Sequence, residues 1–231
     1  MRGADGVRVL VVGGSPEVAS PGLVTRLVDE ADAVVAVDCG LDALLAAGCG
    51  CDLFCGDADS VSAEGATLVR ASEAGESSAH PDVPHVAEVE RYNPHKDDTD
   101  LGLALRAIGE RWSGAKLVCT CLSGGKPDHF LAVLGRLAAW DAPVSIEEDG
   151  FSARILHAGD TWELPDRSGN RFSFVPLSPE AIVSESGMEW TLDHKPVPLL
   201  SDLGISNVLQ QNATITCHEG ILVAYAFNKN N

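Results

Sequence analysis

Six aspartates fall in three short groups along the chain: Asp38 in Asp38-Cys39-Gly40, Asp57 and Asp59 in Gly56-Asp57-Ala58-Asp59-Ser60, and Asp97, Asp98 and Asp100 in Lys96-Asp97-Asp98-Thr99-Asp100. Two carboxylates at the tip of the apolar run Leu53-Phe54-Cys55 gain nothing from packing. Several carboxylates converging on one crevice repel one another unless cations sit between them. Oxygen ligands of this kind suit Mg²⁺, which keeps some of its waters and takes substrate phosphates as its other ligands. Two glycine-rich segments, Gly13-Gly14-Ser15 and Ser123-Gly124-Gly125-Lys126-Pro127-Asp128-His129, accompany them. The chemistry suggested is metal-assisted work on a phosphorylated molecule. Taken singly, each motif also has a plainer reading. Gly13-Gly14 suits a turn, and the aspartates of 97–100 suit a helix cap and its dipole.

The surrounding elements say where these residues belong. Val7–Val12, Ala33–Val37, Leu53–Cys55, Lys116–Cys121 and Val144–Glu147 are β-branched or apolar runs that read as buried strands. Leu41–Ala47 reads as a short helix, and Leu101, Leu105, Ile108 and Trp112 recur at helical spacing over Thr99–Trp112. Pro127 suits the first turn of a helix with Phe130, Leu134 and Leu137 on one face. Strands alternating with helices predict a parallel, Rossmann-like α/β sheet over residues 1–149. In such a sheet ligands bind beyond the carboxyl ends of the strands, where four of the five motifs fall; the fifth opens a helix. From residue 150 to 231 short segments separated by Gly, Pro and Asn turns predict an all-β sandwich: Ala153–His157, Arg171–Val175, Ala181–Ser184, Met188–Leu192, Thr214–Cys217 and Ile221–Phe227. Residues 72–84, rich in Ser, Gly, His and Pro, read as a mobile loop.

The composition narrows the partners. The 231 residues carry 16 Lys+Arg against 34 Asp+Glu, a net charge of −18 and a pI near 4.6. Duplex nucleic acid and anionic membrane surfaces, which need a cationic face, are therefore disfavoured. The excess acid is concentrated in residues 1–149, at −14 against −4 for the remainder. A solvated acidic surface gives the same balance as a metal-handling half.

Seven cysteines, at 39, 49, 51, 55, 119, 121 and 217, are an odd number for a disulfide framework. Cys49-Gly50-Cys51 and Cys119-Thr120-Cys121 lack the two-residue gap of a zinc knuckle, so core packing is the expectation for them. Met1 to Leu10 lacks the basic-then-apolar build of a secretory signal, and no apolar run is long enough to cross a bilayer. The expectation is a cytoplasmic protein with reduced thiols. Neither a Gly-Lys-Ser/Thr phosphate loop nor a Gly-x-Ser-x-Gly nucleophile elbow is present. His129 reads as a first-turn polar residue or ligand contact rather than a lone general base.

In order and spacing the motifs resemble the thiamine pyrophosphokinase family. The segments are Asp38-Cys-Gly-Leu-Asp42, Cys51-Asp-Leu-Phe-Cys-Gly-Asp-Ala-Asp-Ser60, Lys96-Asp-Asp-Thr-Asp100, Gly124-Gly-Lys-Pro-Asp-His129, Gly187-Met-Glu-Trp-Thr-Leu192 and Gly204-Ile-Ser-Asn207. The resemblance spans nearly the whole chain. It implies a nucleotide- and Mg²⁺-binding α/β domain and a thiamine-binding β-sandwich, which dimerises the protein and places thiamine sites between subunits. The reaction implied is ATP plus thiamine to AMP plus thiamine diphosphate. Carried over by position, Asp57, Asp59 and Asp100 hold the metal and, with Asp128, form the catalytic set. Gly14, Asp38, Asp97, Lys126 and His129 lie on the ATP side. Trp190, Ser206 and Asn207 contact thiamine, Trp190 by stacking, a sound pairing for a planar cation. The sequence departs from the family at Cys39, Leu41 and Asp42, where the family has Gly, Ala and Asn. It departs again at Lys126, where an Arg keeps the charge and adds bidentate phosphate recognition.

Two other readings share the scaffold. One is a diphosphokinase for another heterocyclic alcohol such as a dihydropterin, against which Trp190 and Gly204-Ile-Ser-Asn207 speak. The other is a non-catalytic sensor of thiamine or its diphosphate, which predicts binding without release of AMP.

Overall fold

Val9 to Val12 are fully buried, and they form the centre of a sheet in a computed structural model that describes residues 6–76, 83–92 and 98–229. The chain divides into two compact units, Met1–Val133 and Leu134–Asn231. In the first, β1 (Arg8–Val12), β2 (Ala33–Val37), β3 (Cys51–Gly56), β4 (Val86–Arg91) and β5 (Lys116–Thr120) pair in parallel. Their order is β5-β1-β2-β3-β4. The helices are α1 (Pro21–Asp29), α2 (Gly40–Ala46), α3 (Ala63–Glu73), α4 (Asp100–Arg111) and α5 (Pro127–Ala138), the last crossing the division between units.

Alternate strand residues bury opposite faces, so a parallel sheet needs cover on both. Leu10, Val12, Val34 and Ala36 share a core with Val24 and Leu27 of α1, Leu41 and Leu44 of α2 and Val69 of α3. Leu101, Leu105 and Ile108 of α4 are buried on its inner face, and the helix packs on β2 and β3. The chain runs outward from β1 through β4 and returns to place β5 on the other side of β1, which makes the β1–β5 gap a topological switch point.

The second unit is antiparallel. β6 (Val144–Glu148), β7 (Phe151–His157), β13 (Ile221–Phe227) and β9 (Arg171–Pro176) form one layer. β8 (Thr161–Leu164), β12 (Asn207–Glu219), β10 (Glu180–Met188) and β11 (Leu192–Pro198) form the other. β12 starts beside β9 and continues into the second layer, a strand that changes sheets in the manner of sandwich corners. Leu156, Phe172, Phe174 and Leu222 of the first layer meet Trp162, Val183, Val197 and Ile215 of the second in one core.

The α/β unit followed by a β-sandwich is the architecture expected from sequence. Three local differences have physical reasons. Val144–Glu148, expected to close the α/β series, also pairs antiparallel with β7 as the first strand of a hairpin. Met188–Leu192 is not a strand; residues 189–191 are the turn between β10 and β11. The expected loop over 72–84 includes the end of α3, and its residues 77–82 lie outside the described ones. All seven cysteines are free, and Cys51 and Cys121 are part of the first core, where desolvation pushes the Cys51 thiol pKa far up.

Candidate functional site

Three strands of the sheet, β2, β3 and β5, end in backbone that bends sharply away. Asp38 follows β2 at φ 52°, Ala58 follows β3 at φ 60° and Cys121 follows β5 at φ 55°, all in the left-handed region that side chains with a Cβ rarely adopt. Such strain survives only where surrounding contacts fix it. Asp38 N–H donates to Cys55 O at 2.9 Å, Ser15 N–H to Cys121 O at 2.9 Å, and Ser15 Oγ to Ser123 O. Gly124 and Gly125 follow in succession at φ 86° and 67°, turning the chain from β5 into α5.

These loops enclose a cleft of about 370 Å³, within the range of small-molecule sites. Gly14, Asp38, Asp100, Lys126 and His129 line it, with Leu101, Leu122, Phe130 and Val133 supplying apolar wall. Cys39 closes one side of the glycine loop: a Cβ added at Gly14 would lie 2.6 Å from Cys39 Sγ. A side chain at position 14 would therefore have to displace the Cys39 thiol.

Asp38, Asp57 and Asp59 each bring one carboxylate oxygen within 4.8 Å of the others. Asp57 is anchored through its backbone, whose carbonyl accepts from Arg91 Nη1 at 2.7 Å. Asp59 N–H donates to Asp57 Oδ1 at 3.2 Å. Burial holds the Asp38 pKa above the usual carboxylate value, and the charges of Asp100 and Asp57 add to that rise against a lowering hydrogen bond from Ser60. Asp59 is raised chiefly by its neighbour Asp57. Asp38 Oδ1 is buried with no hydrogen-bond partner. A carboxylate with one desolvated oxygen, clustered with two further carboxylates, is a donor set for a hard cation.

Asp100 is the first residue of α4, behind the N-cap Thr99, whose Oγ1 accepts from Gly102 N–H at 3.1 Å. Its neighbour Asp98 does the structural work, bonding Thr99 N–H and pairing with Arg106 at 3.3 Å. Asp128 is exposed in the first turn of α5 and is not among the residues lining the cleft. Asp97 lies outside the described residues. Asp42, where the resembling family carries an amide, is tied to the start of α3: its carboxylate accepts from Ser62 N–H at 2.9 Å and Ser62 Oγ at 2.5 Å. Ser60 and Arg91 were not among the sequence candidates. Ser60 closes the Asp57-x-Asp59 motif and was legible there, whereas the alternation of Val86 and Val89 gives Arg91 only a weak signal.

In the second unit Trp190, Ser206 and Asn207 come together. Trp190 is 58% exposed, at the turn after β10. Asn207 is buried, and its Oδ1 accepts from Trp190 N–H at 3.1 Å and Val208 N–H at 2.9 Å, while Nδ2 donates to Trp190 O at 2.8 Å. Ser206 precedes it at φ 65°, with its N–H on Ser173 Oγ at 3.0 Å.

A parallel sheet with a carboxylate group, glycine turns and a lysine at its switch point defines a transferase of the α/β class, here joined to a ligand-binding sandwich. The chain belongs to the thiamin pyrophosphokinase family: the family's catalytic domain matches residues 24–146, and its vitamin B1 binding domain matches residues 162–222. Solved structures agree in fold. Thiamin pyrophosphokinase from Geobacillus thermodenitrificans is 27% identical, with a TM-score of 0.73 over 97% of this chain and 99% of that one. The Bacillus subtilis enzyme gives 23% and 0.74 over 96% and 99%, and the yeast enzyme 12% and 0.74 over 98% and 88%. A comparison with curated protein sequences found no match.

Proposed function

We propose that this enzyme transfers the diphosphate of ATP to the hydroxyethyl group of thiamine, with Mg²⁺ held by Asp57, Asp59 and Asp38 and with Asp100 beside them. The observation that carries the reading is the Asp38 carboxylate, one oxygen of which is buried and unpartnered, clustered with two more carboxylates, a group that makes chemical sense around a divalent cation. When bound, the cation supplies charge neutralisation between the aspartates and the phosphate oxygens. The chain supplies the alignment. Lys126 places a cation on the cleft wall, and Gly14 lets the nucleotide approach backbone. The thiamine hydroxyl oxygen bonds to the β-phosphorus as the bond from that phosphorus to the α,β-bridging oxygen breaks; AMP leaves with that oxygen and its electron pair, and the hydroxyl proton passes to a site carboxylate or to solvent water. As in other phosphoryl transfers, positioning and electrostatics are the protein's main contributions. The exposed face of Trp190 offers a surface for the cationic thiazolium ring. The family likeness also supports a cytoplasmic homodimer, which sedimentation would test. Among the described residues no helix is long and apolar enough to cross a membrane.

The deciding assay measures AMP formed from ATP on addition of thiamine, with and without Mg²⁺ and with a dihydropterin as parallel acceptor. Metal- and thiamine-dependent AMP is expected, falling at least about a hundredfold in Asp57→Asn as transition-state electrostatics are lost. ADP as product, or activity with the pterin alone, would overturn the reading. Thiamine binding with no product would make the protein a sensor.

A further inference from the structure

Glu185 is the one ionisable side chain of β10 that points into the sandwich core. It is 4% exposed, and its Oε1 has no hydrogen-bond partner. Carboxylates are almost never fully buried unless paired, because desolvating the charge is costly. The partner here is Asn207, whose Nδ2 donates to Glu185 Oε2 at 3.4 Å. The same Nδ2 donates to Trp190 O at 2.8 Å, and the other end of the amide receives Trp190 N–H. Asn207 therefore clamps the backbone of Trp190 on both sides, and among the described residues Glu185 supplies the side-chain oxygen behind the clamp, with Met188 Sδ a longer contact of the same Nδ2 at 3.6 Å. An amide with only acceptors at its nitrogen and two donors at its oxygen has a single satisfied orientation.

The local backbone is built to make this meeting possible. A register shift between Ser186 and Met188 interrupts the pairing of β10 with β12, with Gly187 at φ 64° at the irregularity. A Cβ at Gly187 would lie 2.7 Å from Asn212 O, so only glycine lets β12 come that close. Bulges of this kind re-aim the following residues. Here those residues are the turn that carries Trp190.

We propose that Glu185 is a positioning residue for the thiamine-binding aromatic: its carboxylate oxygen orients Asn207, and Asn207 fixes Trp190. This inference rests on the reading of Trp190 as a thiamine contact. What Glu185 supplies is an acceptor; its charge is not required. The role thus separates two substitutions of similar size. Glu185→Gln keeps an oxygen for Asn207 Nδ2, whereas Glu185→Leu and Glu185→Met remove it.

The test is a double-mutant cycle between Glu185→Leu and Trp190→Ala, read as thiamine KM, ATP KM and kcat, with Glu185→Met as a second apolar variant. Melting curves set an assay temperature at which every variant is folded. The expected result is a roughly tenfold rise in thiamine KM for both apolar variants, the upper end of what one net hydrogen bond contributes. ATP KM and kcat should stay unchanged, and Glu185→Gln should behave as the parent. In the Trp190→Ala background the apolar change should have no further effect, because the two residues act through one contact. Equal effects in both backgrounds, a parallel rise in ATP KM, or failure of Glu185→Gln to restore thiamine KM would overturn the proposal. If Trp190→Ala itself leaves thiamine KM untouched, the assignment of Trp190 fails, and this inference falls with it. If Trp190→Ala weakens thiamine and the folded Glu185→Leu does not, the role of Glu185 alone is refuted.

Discussion

At the scale of single residues, one buried and one half-buried carboxylate set testable costs. Desolvation raises the Glu185 pKa from 4.5 to about 7 in the folded protein, opposed by the Asn207 hydrogen bond. Between those values the folded chain holds a proton that the unfolded chain has lost, so stability falls as pH rises through the window and levels off above it. Glu185→Gln cannot ionise. Its melting temperature should exceed the parent's at pH 8, by the equivalent of about 3 kcal/mol at most, and the advantage should vanish below about pH 4.5. Parallel melting curves across pH would show that the burial of Glu185 does not cost what its surroundings demand. Asp38 is the second case. It shares a crevice with like charges, so Asp38→Asn relieves repulsion and should melt at or above the parent in metal-free buffer. Added Mg²⁺ should stabilise the parent and leave the variant almost unmoved, since binding to the folded state alone raises stability. Equal Mg²⁺ shifts in both proteins would remove Asp38 from the metal site.

At the scale of elements, the outcome at Asp42 shows what a motif hides. A charge near a nucleotide site invites a reading in terms of substrate, yet Asp42 is tied to Ser62, whose Oγ in turn accepts from Gly65 N–H at 3.1 Å to cap α3. Asp42→Ala should cost about 1–2 kcal/mol of stability, the scale of a lost helix cap and its hydrogen bonds, and leave ATP KM unchanged. A raised ATP KM with normal stability would restore the substrate reading. The strands of the first unit were legible because a covered parallel sheet demands long β-branched runs, and the glycine and aspartate motifs were legible because they terminate those runs. α1 and α3 went unassigned although Ser20-Pro21 and Ser62 are sound helix starts; their short apolar stripes, Val24 with Leu27 and Val69, stand out less than the strands between them. β4 is mostly polar and partly exposed, so its alternation carries little weight beside the acidic residues around it. Asp128 and Lys126 stand two residues apart in one motif, yet Lys126 precedes α5 and lines the cleft, whereas Asp128 is exposed in the first turn of the helix and does not. Glu185 escaped notice for a different reason: a lone Glu among Ser residues reads as solvent-facing, and only the bulge at Gly187 and the position of Asn207 in another strand give it a partner.

At the scale of the molecule, the charge of −18 acts on the two substrates in opposite directions. ATP is an anion even when it carries Mg²⁺, and among the cleft-lining residues Lys126 is the only permanently cationic side chain. Thiamine is a cation. The summed field of the protein therefore repels one substrate and attracts the other at distances beyond any contact. Salt screens such fields, with a Debye length that falls from about 30 Å at 0.01 M to about 8 Å at 0.15 M. Raising ionic strength across that interval at constant free Mg²⁺ should raise kcat/KM for the nucleotide and lower it for thiamine, each by a factor of about two to five on the scale of steering effects. The contacts at the site stay the same throughout, so kcat should change little. Salt effects of the same sign on both substrates would mean that local charges, Lys126 on one side and the aspartates on the other, outweigh the field of the whole chain. In that event Lys126→Gln should abolish the salt dependence for the nucleotide, a change the global field would not produce.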